Sequence, residues 1–168
     1  MAPALLRGAG KPRQILIIRH GEKNGDKTDL HLNPRGYARA AALVRLFPAR
    51  FDTPQFLFAT HQSAHSNREV ETIEPLAGAL HLRIDSRFAD EEYAALAKEL
   101  LSKPVYTDEN LLLCWHHGRI PELAAALGVS HPPAPWPDAQ FDRVWKIEYA
   151  GGSVQFTDLP EHLLEGDS

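Results

Sequence analysis

The sequence predicts an α/β fold: a three-layer α/β/α sandwich with a mostly parallel sheet and an antiparallel edge strand. Three observations predict it. Apolar runs with little polar interruption, "QILII" at 14–18, "QFLFA" at 55–59 and "LLLCW" at 111–115, are what strands covered on both faces require. Longer stretches with helical spacing lie between them, so strands and helices alternate as they do when crossover helices cover a parallel sheet. Near the end, "FDRVWKIEYA" alternates and two glycines lead into "GGSVQFTDL", the pattern of an edge hairpin.

Taken in order, "ILII" is followed by a polar loop and then by "NPRGYARAAALVRLF", where Asn33 can cap a helix and Pro34 can occupy its first turn. After "QFLFA" a helix is expected over about 67–80. "HLRID" at 81–85 reads as a weaker strand. "DEEYAALAKELL" at 90–101 reads as an amphipathic helix with carboxylates in its first turn, where the helix dipole favours them. "IPELAAALG" is a helix ended by Gly128, and the proline-rich "HPPAPWPDAQ" is a long surface connection. No internal repeat interrupts this order.

A chain of 168 residues suits one domain with a substantial core. Residues 1–12 read as a loose N-terminal arm, 13–158 as the domain and 159–168 as a C-terminal tail. Apolar residues at 43% and charged residues at 24% are those of a globular protein. A net charge of −4 offers no basic footprint for nucleic acid, and no apolar stretch approaches a membrane span. The single cysteine, Cys114, excludes an internal disulfide framework and suits a cytoplasmic location.

Ligands of open α/β sheets bind beyond the carboxyl ends of the strands. Three such ends here carry polar groups: Arg19, His20, Gly21 and Glu22 after the first strand; His61, His65 and Arg68 after the second; His116, His117, Gly118 and Arg119 after "LLLCW". This inventory suits phosphoryl transfer through a nucleophilic imidazole. Guanidinium groups of Arg19 and Arg68 can hold equatorial phosphoryl oxygens by paired hydrogen bonds. A neutral His20 can attack phosphorus if an acceptor fixes its other nitrogen, and Gly21 lets the backbone come close.

These residues resemble the histidine phosphatase superfamily, the phosphoglycerate-mutase-like enzymes and short phosphohistidine phosphatases. "RHGE" is similar to its signature, "LNPRGYARA" to the L-x-x-x-G-x-x-x-A stretch that follows, and "SNREVETIEPLA" to the R-x-x-x-T segment, giving Arg68 and Thr72. "NLLLCWHHGRIPELAAALG" resembles the segment ending in the second catalytic histidine. The resemblance implies a phosphohistidine on His20, with Arg19, Arg68 and the second histidine binding the phosphoryl group. It places an acid at Asp90 through "RFAD", with Glu91 and Glu92 as neighbours. Counting from Asn110 puts the second histidine at His116; counting back from Pro121 in related W-x-H variants gives His117, and the register favours His116. With His116 as the catalytic histidine, Gly21, Glu22, Lys23 and His117 are expected to border the substrate. About four extra residues separate "FAT" from Arg68, and the stretch up to the third strand leaves little material for a capping insert, so an open pocket is expected.

The function that follows is hydrolysis of a phosphomonoester or phosphohistidine, without metal or other cofactor, on a small phosphorylated substrate or a phosphoprotein. The alternatives are a mutase-like phosphoryl transferase, and a phosphate-binding pseudoenzyme or interaction module on the same fold. Simpler readings apply elsewhere. His61 and His65 read as solvent-facing loop histidines, and Asp26, Asp29 and His31 match no metal-ligand spacing. Cys114 reads as a buried small hydrophobe, and Trp115 as either pocket wall or core.

Overall fold

The computed structural model describes residues 10–168, so most of the expected N-terminal arm, residues 1–9, lies outside the described residues. Elements follow in the order β1 (Gln14–Arg19), α1 (Pro34–Arg50), β2 (Phe56–Ala59), α2 (Arg68–Leu80), β3 (Ile84–Asp85), α3 (Tyr93–Ser102), β4 (Asn110–Trp115), α4 (Ile120–Ala126), β5 (Arg143–Ala150) and β6 (Ser153–Pro160). Short 3₁₀ turns at Asp90–Glu92 and Pro104–Tyr106 flank α3. The sheet order is β3-β2-β4-β1-β5-β6. β1 to β4 run parallel, whereas β5 pairs antiparallel with β1 and β6 antiparallel with β5.

The apolar runs behave as the alternation of side chains across a pleat requires. Ile15 and Ile17 of β1, with Leu111, Leu113 and Trp115 of β4, pack on one face against Leu96 and Leu100 of α3 and Leu123 of α4. Leu16, Ile18, Leu112 and Cys114 pack on the other against Leu43 and Phe47 of α1 and Ile73 and Leu76 of α2. Both faces are therefore dry. The parallel register pairs Arg19 with Trp115, so the residues that follow, His20 and His116, emerge side by side from the middle of the sheet.

Asn33 caps α1 as expected, its side chain accepting from the Gly36 amide at 2.9 Å with Pro34 in the first turn. Two expected elements are shorter. The strand expected over 81–85 is reduced to two residues, because His81 ends α2 in the left-handed conformation (φ 55°) and Leu82 still donates back to the Ala77 carbonyl at 3.0 Å. Helix capping consumes the first half of that segment. The helix expected from residue 90 starts at Tyr93, after the 3₁₀ turn, where the Glu92 side chain accepts from the Ala89 amide at 2.7 Å.

Residues 159–168, expected as a tail, carry the end of β6 and then pack back onto α1. Glu161 is only 1% exposed, and Asp167 accepts from the amides of Leu163 and Leu164. Among the described residues no helix is long and apolar enough to cross a membrane.

Candidate active site

The loop after β1 is built by close backbone approach. A Cβ on Gly36 would lie 2.3 Å from the Glu22 carbonyl oxygen, and one on Gly21 would lie 3.0 Å from Gly36 Cα. Only two glycines let α1 seat against the loop that carries His20. The Gly21 amide donates to Thr72 Oγ1 at 2.8 Å, and that hydroxyl donates to the Arg68 carbonyl at 2.7 Å. Thr72 thus ties the first strand end to the start of α2.

His20 is completely buried. Its Nδ1 lies 2.7 Å from the Gly21 carbonyl, which can only accept, so Nδ1 carries the proton and Nε2 keeps its lone pair. Burial holds the imidazole well below its ordinary pKa, reinforced by the charges of Arg19 and Arg68 and only partly opposed by the Gly21 carbonyl. The ring is neutral at physiological pH. His116 stacks at 6.3 Å between ring centroids, 27° from parallel.

Arg19 is 1% exposed and anchored through Nη1 to the carbonyls of Asp138 (2.6 Å), Gln140 (3.0 Å) and Pro137 (3.4 Å), with its guanidinium 3.8 Å above the Phe141 ring. Burial lowers its pKa to about 10, which leaves it charged. Arg68 donates to the carbonyls of Asp29 (2.7 Å) and His65 (3.3 Å). Both arginines keep Nε buried without a hydrogen-bond partner among the described residues, as does His20 Nε2. Asp90 Oδ1 and His117 Nδ1 share that condition, so five of the eight such atoms belong to expected site residues. Buried polar atoms of this kind demand a partner.

His116 and His117 diverge. The Gly118 amide donates to His116 Nδ1 at 3.3 Å, which leaves a proton on Nε2, and Asp90 Oδ2 stands 3.5 Å from the same Nδ1. His117 instead meets Asp138 through Nε2 at 2.8 Å and borders a separate hollow with Pro121, Pro135 and Trp136. The structure therefore brings His116 to His20 and gives His117 to the proline-rich connection that anchors Arg19. Burial and the Arg19 charge lower the His117 pKa to about 4.

Asp90 opens the 3₁₀ turn, its carbonyl accepting from the indole N–H of Trp115 at 3.2 Å. Trp115 is thus core and support at once. Burial, with the neighbouring charges of Glu91 and Glu69, raises the Asp90 pKa to about 7. A carboxyl there can both give and take a proton near neutrality. Glu91 is exposed, and Glu92 spends its carboxylate on the Ala89 amide.

Glu22 does not reach the site, contrary to expectation. Its carboxylate accepts from Arg39 at 2.7 and 3.0 Å and from Arg35 at 3.0 Å, which makes it an anchor of the loop. Lys23 stays within the field of Arg68 and Arg19, which with burial lower its pKa. His61 and His65 are exposed, and both line the cleft of about 350 Å³ that also holds Thr60, Arg68, Glu69, Asp90 and His116. The extra residues before Arg68 form one wall of it. Glu69, Phe141 and Asp138 carried no distinct sequence signal beyond adjacency. Asp26, Asp29 and His31 are occupied locally by Thr28, Asn24 and Glu71, and among the described residues no three His, Cys, Asp or Glu side chains are placed to share a metal.

Residues 15–99 match the description "histidine phosphatase superfamily (branch 1)". No curated protein matches the sequence. Among solved structures, phosphoserine phosphatase from Entamoeba histolytica in complex with 3-phosphoglyceric acid is similar at a TM-score of 0.65 and 14% identity, covering 90% of this chain and 99% of that one. The mycobacterial glucosyl-3-phosphoglycerate phosphatase with inorganic phosphate gives 0.59 and 17%, over 88% and 95%. The protein histidine phosphatase SixA complexed with tungstate gives 0.56 and 14%, over 88% and 97%. At these identities the likeness is one of fold.

Proposed function

This chain belongs to the histidine phosphatase superfamily, and on that premise we propose that it hydrolyses a phosphomonoester through a covalent phosphohistidine on His20. The observation that carries this reading is the set of unpartnered buried atoms on Arg19, His20 and Arg68, supplied by two separate strand ends. In the first step the His20 Nε2 lone pair forms the N–P bond as the bond from phosphorus to the ester oxygen breaks. That oxygen takes the Asp90 proton. Arg19, Arg68 and the Nε2–H of His116 offset the charge spread over the equatorial oxygens. In the second step the Asp90 carboxylate removes a proton from water, whose oxygen bonds to phosphorus as the N–P bond breaks. Phosphate leaves, and His20 and Asp90 return to their starting protonation.

The two guanidinium groups supply the positive charge that a divalent ion would otherwise provide, with the His116 Nε2–H as a neutral donor beside them, so the proposed reaction runs without metal. The single buried cysteine suits a reducing compartment, which supports a cytoplasmic setting. Hydrolysis of p-nitrophenyl phosphate, unchanged by a chelator and abolished in His20→Ala, tests the reading. A protein that binds phosphate with no turnover is instead a binding module.

A further inference from the structure

The proposed reaction requires the alcohol half of the substrate to lie where the leaving oxygen can reach Asp90. That place is the cleft bordered by Arg68, Asp90 and His116. At about 350 Å³ it is at the small end of ligand pockets, which run from about 300 to 1,000 Å³. A compact metabolite fits this volume better than an extended segment of a phosphoprotein.

The charges of the cleft are one-sided. Among the described residues Arg68 is the only arginine or lysine lining it, and in the proposed reaction it is taken by the phosphoryl group. Three carboxyl groups line it: Glu69, Glu91 and Asp90, the last holding its proton in the first step of the proposed reaction. Glu69 is buried and accepts from Ser66 Oγ at 2.7 Å, while Glu91 is exposed and its charge reaches Asp90. The remaining polar lining, Thr60, His61, Ser63, His65 and His116, offers hydrogen-bonding groups rather than a fixed cation. Of the cations outside the lining, Arg119, whose charge reaches Asp90, is paired with Glu122 at 3.5 Å, Lys23 lies in the field of Arg19 and Arg68, which hold the phosphoryl oxygens in the proposed reaction, and Arg87, in the adjoining hollow beyond His61, is paired with Asp85 and Glu99 at 2.7 Å each.

Hydroxyl groups can donate to these carboxylates, whereas a second anion on the alcohol would meet like charge. We infer that the substrate is a compact, hydroxyl-rich phosphomonoester without a second anionic group, and that Glu91 disfavours anionic alcohols. This rests on the phosphatase reading and narrows it.

The test compares glycerol 1-phosphate with 3-phosphoglycerate, a pair that exchanges a hydroxymethyl group for a carboxylate, with p-nitrophenyl phosphate as reference at pH 7.5. One uncompensated like-charge contact at a protein surface corresponds to about tenfold, so kcat/KM is expected to favour glycerol 1-phosphate by about that factor. Glu91→Gln is expected to narrow the ratio at least about threefold by removing that repulsion. A proton-donor role for Glu91 would slow both esters alike and leave the ratio unchanged, which overturns the assignment. Equal or better turnover of 3-phosphoglycerate, with p-nitrophenyl phosphate still hydrolysed, overturns the inference and leaves the phosphatase reading standing. Hydrolysis of none of the three removes both.

Discussion

Arg39 Nη2 lies 2.7 Å from Glu22 Oε1, with the arginine 1% exposed. Glu22 follows His20 by two residues, so a guanidinium on α1 holds the loop that carries His20 from behind. The same guanidinium donates to Glu161 at 2.7 Å and to Asp167 at 2.8 and 2.9 Å. The last residues of the chain are thereby fastened to the loop of the active site.

Replacing Arg39 by Met should leave these carboxylates buried without compensation. Breaking a buried ion-pair network this way costs about 3–5 kcal/mol, and urea unfolding should show a loss of that order. A loss under about 1 kcal/mol would mean that the network is solvated, contrary to its burial.

The same cluster predicts a pH dependence of stability. Burial of Glu161, one of whose oxygens has no partner, raises its pKa to about 8, since Arg39 is shared among several carboxylates. A folded pKa above the unfolded value means that its contribution is complete below about 4.5 and lost as pH rises through about 8. Glu22 and Asp167 are lowered, so their contribution is present at neutral pH and lost in acid. Stability should decline as pH rises from about 4.5 to about 8 and level off above that, and Glu161→Gln should flatten the decline. An unchanged slope in the variant would show that Glu161 is not the group responsible.

Asp90, with its pKa raised to about 7, should act as the proton donor. Turnover of alkyl phosphates should then fall as pH rises above about 7, while the acid limb, set by His20, lies well below pH 6.5. Asp90→Asn should slow alkyl phosphates far more than p-nitrophenyl phosphate, whose leaving group needs no proton. Equal slowing of both would move the role elsewhere.

Of the two adjacent histidines, His116 faces His20 whereas His117 braces Asp138. His116→Ala should lower kcat by about 2 to 4 kcal/mol in barrier, the size expected for one donor to a developing oxyanion. His117→Ala should act mainly on KM, by loosening the connection that anchors Arg19. A larger kcat loss in His117→Ala would reverse the roles.

What the sequence disclosed is the part written in short spacings. Continuous apolar runs gave β1, β2 and β4, the polar groups after them pointed to Arg19, His20, Arg68 and His116, and the resemblance of "RFAD" pointed to Asp90. Glu22 misled because adjacency to His20 says nothing of which side its carboxylate takes; Arg39 on the next helix decides that. The ties to Glu161 and Asp167 span more than a hundred residues and leave no local pattern. The missing half of β3 was lost to the left-handed cap at His81, which a histidine does not announce.

The central claim is a covalent phosphoryl group on His20. Rapid acid-free quenching of the enzyme with a labelled phosphomonoester, followed by peptide mass spectrometry, reads it directly. An acid-labile, base-stable phosphoryl group on His20, formed at a rate matching turnover and absent from His20→Ala, is the predicted result. A label on another residue, or steady turnover retained in His20→Ala, would contradict the account.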